Sequence, residues 1–198
     1  MNLPNRLTIA RIFMVPLFIF FALFTFSGEH ADLISRLLSA GVFLLAAVTD
    51  FADGKIARKY NIITDFGKFL DPLADKFLIF AAILVFLFSD RYAQGEAFRL
   101  TLFISGAIVI FRELAVTSLR LVVAGSDKHV VISASFFGKA KTFSQCVWVL
   151  IVILEPVIFP FFDTCYLSWL STVVMSILTV LSGIDYMRSY WRYLNPNK

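Results

Sequence analysis

The sequence predicts an all-α integral membrane protein of six transmembrane helices with both termini cytoplasmic. Three observations predict it: an extreme apolar composition, six separate apolar runs, and a one-sided distribution of Lys and Arg. The 198 residues are 59% hydrophobic and 16% charged, where soluble domains carry roughly a quarter charged residues. Mean hydropathy is +0.82. A globule this small has too little interior to hide so much apolar surface. Disorder is excluded on the same ground, because disordered chains are poor in apolar residues.

The apolar runs fall at 7–26, 33–54, 69–88, 97–123, 138–159 and 164–187. Each is close to the about 20 residues that a helix needs to cross the hydrocarbon. Pro156 and Pro160 place the exit of the fifth run. The first run has no small-residue cleavage site and is followed by five more spans, so it reads as a retained helix rather than a signal peptide. No internal repeat or long linker divides the chain, which reads as one transmembrane domain over 1–198. With six spans, one side of the membrane carries both termini and fifteen of the eighteen Lys and Arg. Arg36, Arg91 and Arg99 are left for the other side. The rich side is expected to be cytoplasmic, and the net charge of +4 suits anionic lipid rather than nucleic acid. Cys146 and Cys165 have no metal-ligand spacing and read as small apolar residues.

Five acids cluster between Asp50 and Asp75. Asp50 and Asp53, three apart, share a face of a helix, and so do Asp71 and Asp75, four apart. A short link joins the two helices, which predicts antiparallel neighbours and four carboxylates converging just inside the cytoplasmic boundary. Uncompensated carboxylates are very costly at that depth. Either they are protonated or a cation holds them. With no His or Cys among them, the cation would be hard, such as magnesium or manganese. Four carboxylates suffice for two metals about 3.5–4 Å apart. Gly54, Ala57 and Gly67 are small enough for a bulky ligand to approach the backbone. Arg58 lies near the interface, where it can pair a phosphate. Two classes fit these residues: a metal-dependent enzyme acting on a polyanionic lipid, and a cation or proton-coupled transporter. The position of the acids at one face, and the basic residues beside them, favour the enzyme.

From Asp50 to Asp75 the residues read D-x2-D-G-x2-A-R-x8-G-x3-D-x3-D. This resembles the signature of the CDP-alcohol phosphotransferase family at every fixed position and every gap. Three further stretches are similar to its phosphatidylglycerophosphate synthase branch: the opening run from Leu3 to Arg11, the run from Arg112 to Arg120, and the run from Ser133 to Gln145. The resemblance implies six transmembrane helices, a homodimer and two divalent ions, Mg2+ or Mn2+. It places the active site at the cytoplasmic ends of the second and third helices. It also implies attack by an alcohol on the diphosphate of a CDP-linked lipid with loss of CMP. For this branch the substrates would be CDP-diacylglycerol and glycerol 3-phosphate. Carried over residue by residue, Asp50, Asp53, Asp71 and Asp75 would be the metal ligands, with Asp75 as general base. Gly54, Arg58 and Gly67, with Asn5 and Thr8, would seat the CDP-lipid. An anionic acceptor also needs cations. Arg112, Arg120, Lys139 and Lys141 all approach the cytoplasmic mouth and are the candidates to hold its phosphate. Glu113 and Arg120 share one helical face, and Gly138, Lys141, Thr142 and Gln145 share another.

Overall fold

A computed structural model describes residues 3–24, 26–28, 30–60, 65–93, 95–124, 136–160 and 165–191. The side chains of 3–6, 51–73, 75 and 123–124 are outside that description. Six helices make up the described residues, with no strand among them: α1 (Leu3–Leu23), α2 (Ala31–Tyr60), α3 (Asp65–Phe88), α4 (Glu96–Ala124), α5 (Phe136–Ile158) and α6 (Tyr166–Tyr190). Among the described residues, four stretches are long and apolar enough to cross a membrane: Ala31–Asp50, Glu96–Val122, Phe136–Ile158 and Tyr166–Tyr190. Within the described residues α1 and α3 contribute the further apolar stretches Leu7–Leu23 and Lys76–Phe88. Pro16 lies within α1 and Pro156 in the last turn of α5. Gly28 and Gly95, before α2 and α4, have φ of 132° and 88°, a left-handed region that glycine enters without a Cβ penalty.

α3 occupies the centre of the bundle. Ala74, Leu78, Ile79, Ala81, Ala82, Ile83, Val85 and Phe86 are all buried. Around α3 lie α1, α4 and α5. Over the described residues α1 packs against both α2 and α3, while α2 and α3 meet only lightly. Phe86 stacks edge-on to Trp148, whose Nε1 donates to Thr172 Oγ1 at 2.8 Å and so ties α3, α5 and α6. α3 and α4 approach closely at Gly106, where a methyl would come within 2.6 Å of Ile83 Cγ2. The outward faces are strongly apolar, with Phe13, Leu84, Phe88, Phe111 and Leu121 exposed. A surface of this kind suits lipid rather than water.

The helices alternate in direction. At one pole Arg91 Nη1 and Tyr92 Oη donate to the carbonyl of Ala22, joining the end of α1 to the α3–α4 connection. Phe98 packs on Trp169, which brings the starts of α4 and α6 together. Arg36, 5% exposed, is the hub of this pole. It pairs with Asp32 at 2.7 Å and donates to the carbonyls of Ile153 and Arg91 at 3.2 and 2.9 Å. The face of Tyr92 covers its guanidinium at 5.1 Å. A buried cation is tolerable only with such a full set of acceptors. Nearby, Glu155 of α5 caps α6. Its carboxylate accepts from the backbone N–H groups of Leu167 and Ser168 at 2.7 and 2.6 Å, and from the Ser168 hydroxyl at 2.5 Å. Anions are favoured at a helix N-terminus, where the first N–H groups lack partners. Glu155→Ala is expected to lower stability by about 2 kcal/mol, the scale of a lost hydrogen-bonded charge. Thermal unfolding in detergent, followed by tryptophan fluorescence, checks this.

Candidate active site

The opposite pole holds a cleft to which five helices contribute. α1 supplies Arg11, α2 supplies Ala46, Ala47 and Asp50, and α3 supplies Lys76 with Leu78, Ile79 and Phe80. α4 supplies Glu113, and α5 supplies Lys141, Thr142, Gln145 and Cys146. Helical periodicity explains the grouping, because residues three and four apart stack on one face. Ala46 and Asp50 are so related on α2, as are Lys141 and Gln145 on α5. The small side chains of Ala46 and Ala47 leave the floor open between charged walls.

Three cations and two carboxylates face this cleft, and they are paired. Arg11, 1% exposed, meets Asp50 with Nη1 to Oδ1 at 2.7 Å, while Asp50 keeps 41% of its side chain accessible. Lys141 Nζ donates to Glu113 Oε1, and Arg112 Nη1 reaches the same oxygen at 3.2 Å. Lys76 Nζ donates to the hydroxyl of Thr117, which in turn donates to the Glu113 carbonyl at 2.7 Å. Buried charges without such partners would be severely destabilising.

Beside the cleft, Tyr186 of α6 gathers two arginines of α4. The Arg112 guanidinium lies 5.4 Å from its ring centre and the Arg120 guanidinium 5.2 Å. Arg120 Nη2 also donates to the Tyr186 hydroxyl at 2.8 Å. Arg112 Nη2 donates to Ser182 Oγ at 2.6 Å. Gly183 leaves room for the Arg112 stem, since a Cβ there would sit 3.3 Å from Arg112 Cγ.

The residues expected from the sequence divide accordingly. Asp50 and Lys141 stand in the cleft, as do Thr142, Gln145 and Glu113. Thr8 is buried on α1, one turn before Arg11. Arg112 and Arg120 gather at Tyr186 rather than in the cleft wall, and Lys139 is exposed. Asp53, Gly54 and Arg58 lie on α2, Gly67, Asp71 and Asp75 on α3, and Asn5 on α1. The side chains of these seven fall outside the described residues. Sequence reasoning did not assign Arg11 or Lys76 to the site. Arg11 carried a legible signal: a charge inside an apolar span requires an internal partner.

The donor chemistry fits a hard divalent cation. α2 runs unbroken through Asp50 and Asp53, and α3 through Asp71 and Asp75, so each pair holds register positions on one helical face. The four are carboxylates, and Asp50, the one whose side chain is described, is accessible at the cleft. Oxygen donors alone suit magnesium or manganese rather than a soft metal.

The family model described as CDP-alcohol phosphatidyltransferase matches residues 1–184; enzymes of this family are generally dependent on a divalent metal. The chain is 38% identical, over 99% of its length and 98% of the relative's, to a Bacillus subtilis (strain 168) protein named CDP-diacylglycerol–glycerol-3-phosphate 3-phosphatidyltransferase. It is 35% identical, over 97% of both chains, to a Rickettsia felis protein of the same name. With the family model spanning most of the sequence and both relatives aligned nearly end to end, this chain belongs to the CDP-alcohol phosphatidyltransferase family.

Proposed function

We propose that the protein transfers the phosphatidyl group of CDP-diacylglycerol to the 1-hydroxyl of sn-glycerol 3-phosphate, giving phosphatidylglycerophosphate and CMP. The observation that carries this reading is the near end-to-end similarity to proteins named for that reaction. The cleft supports it: a small anionic acceptor needs cations inside an apolar bundle, and Arg11, Lys76 and Lys141 are there.

Residues 1–198 act as one catalytic domain that spans a bacterial plasma membrane six times and works as a homodimer. Both termini and the cleft face the cytoplasm. The alternation of the helices supports this, because the start of α1 and the end of α6 lie at the cleft pole. So does the charge: Arg36, Arg91 and Arg99 are at the opposite pole. The homodimer rests on the family resemblance.

Asp50, Asp53, Asp71 and Asp75 would hold two divalent ions, Mg2+ or Mn2+. When bound, these supply charge stabilisation to the diphosphate and to the departing CMP. Gly54 and Gly67 let the diphosphate approach the helix backbones. Arg58 pairs with it, and Asn5 and Thr8 help to seat the nucleotide. Lys141 takes the acceptor phosphate, with Arg112, Arg120 and Lys139 completing the positive flank. Glu113 keeps Lys141 paired until that phosphate arrives. Asp75 accepts the proton of the 1-hydroxyl as its oxygen bonds to the phosphorus bearing diacylglycerol. The bond from that phosphorus to the CMP oxygen breaks, and CMP leaves with the electron pair.

CMP release by the purified protein in detergent tests the reaction. With CDP-diacylglycerol and magnesium, turnover is expected with glycerol 3-phosphate and not with inositol phosphate, inositol, serine or phosphatidylglycerol. Chelator should abolish it. Turnover with another of these acceptors instead would overturn the acceptor assignment. Asp50→Asn, Asp53→Asn and Asp71→Asn are each expected to reduce turnover by about a hundredfold or more, on the scale of losing one transition-state charge contact, without unfolding the protein. Asp75→Asn should bind CDP-diacylglycerol yet fail to turn over. Lys141→Ala and Arg120→Ala should raise KM for glycerol 3-phosphate by about tenfold, the scale of one charge-assisted hydrogen bond. KM for CDP-diacylglycerol should change less; equal effects on both would remove these residues from the acceptor pocket.

A further inference from the structure

One polar group in the cleft wall stands outside the charged pairs. Gln145 lies one turn beyond Lys141 on α5, further into the bundle. It is 2% exposed and lines the cleft. Its Nε2 is buried with no hydrogen-bond partner among the described residues. The surrounding charges are engaged differently: Asp50 meets Arg11, Glu113 meets Lys141 and Arg112, and Lys76 meets Thr117. Native interiors satisfy nearly all buried donors, so an exception at the wall of a substrate cleft points to a group that a ligand completes.

The chemistry of the amide limits what that ligand offers. A primary amide carries two N–H donors and one carbonyl acceptor. In this cleft, charged phosphoryl oxygens are better matched by Arg11, Lys76 and Lys141. A neutral amide suits an uncharged oxygen that both accepts and donates, which is a hydroxyl. Groups four residues apart on a helix are separated by about 6 Å, comparable to the reach from a phosphate at Lys141 to a hydroxyl two carbons along the same molecule.

Building on the acceptor proposed above, we infer that Gln145 hydrogen-bonds the 2-hydroxyl of glycerol 3-phosphate and makes the enzyme specific for a hydroxylated acceptor. The reacting 1-hydroxyl is left to the carboxylates, while Lys141 and Gln145 read the phosphate and the 2-hydroxyl from one face of α5. An acceptor lacking that hydroxyl leaves the amide buried and unpaired, and sites built to bond a hydroxyl reject such analogues strongly.

The test compares glycerol 3-phosphate with 3-hydroxypropyl phosphate, which keeps the primary hydroxyl and the phosphate but lacks the 2-hydroxyl. With the full-length protein, CDP-diacylglycerol and magnesium, kcat/KM is measured for both acceptors in the wild type and in Gln145→Met. The wild type is expected to favour glycerol 3-phosphate by about a hundredfold or more. Gln145→Met should bring the two within about threefold, chiefly by weakening glycerol 3-phosphate, with KM for CDP-diacylglycerol unchanged. Its thermal midpoint should not fall, because the substitution removes an unsatisfied donor at nearly constant volume. Equal loss for both acceptors, a shifted KM for CDP-diacylglycerol, or a lowered midpoint would each overturn the inference. The wild-type ratio tests it without any variant: equal use of both acceptors overturns the role of Gln145 and leaves the reaction standing. Failure of the wild type to use either acceptor overturns the reaction itself.

Discussion

A charge inside an apolar bundle must find its counterpart within the same bundle, and the architecture of this protein follows from how its two poles meet that demand. At the pole of Arg36 every counterpart is protein. One carboxylate, two carbonyls and an aromatic face surround the guanidinium, and Glu155 closes the start of α6 in the same manner. Such a pole gains nothing from a ligand. It locks the ends of α1, α2, α5 and α6 to the α3–α4 connection and sets the register in which the helices reach the other side.

At the cleft the pairings have a different character. Arg11 neutralises Asp50 while the carboxylate stays accessible. Glu113 serves both Lys141 and Arg112. Cations and carboxylates here line an open cleft rather than a closed shell. The same electrostatic rule thus yields a staple at one end of the bundle and a cleft lined by paired charges at the other.

Much of this was legible in the sequence, and the remainder has identifiable physical causes. The apolar runs located all six helices, and among the described residues Arg36, Arg91 and Arg99 lie at one pole while Arg11, Lys76 and Lys141 line the cleft at the other. The run ending at residue 54 understated α2, which continues to Tyr60. Hydropathy measures the apolar stretch, whereas a helix continues for as long as its backbone is favourable. The acid pairs were legible because their spacing follows from helix geometry alone. The pairing of Arg11 with Asp50 was not, because it depends on α1 packing beside α2. Periodicity grouped Gly138, Lys141, Thr142 and Gln145 on one face of α5, and the last three line the cleft. It could not reveal that Arg112 and Arg120 turn towards Tyr186, since spacing along one helix does not say which neighbour that face meets.

The described parts of α2 and α3 are enclosed to unequal degrees. α3 is wedged against α4 where Gly106 admits Ile83, and among its described side chains only a narrow stripe at Phe77, Leu84 and Phe88 is left uncovered. On α2, Leu44, Leu45 and Val48 are exposed just before Asp50, so that helix borders the hydrocarbon where it approaches the site. α3 is packed by α1, α4 and α5, whereas α2 packs on α1 and α5 and leaves its outer face apolar and uncovered. Among the described residues the cleft therefore has one wall, α3, enclosed by helices on nearly every side, and another, α2, that is also a boundary of the bundle.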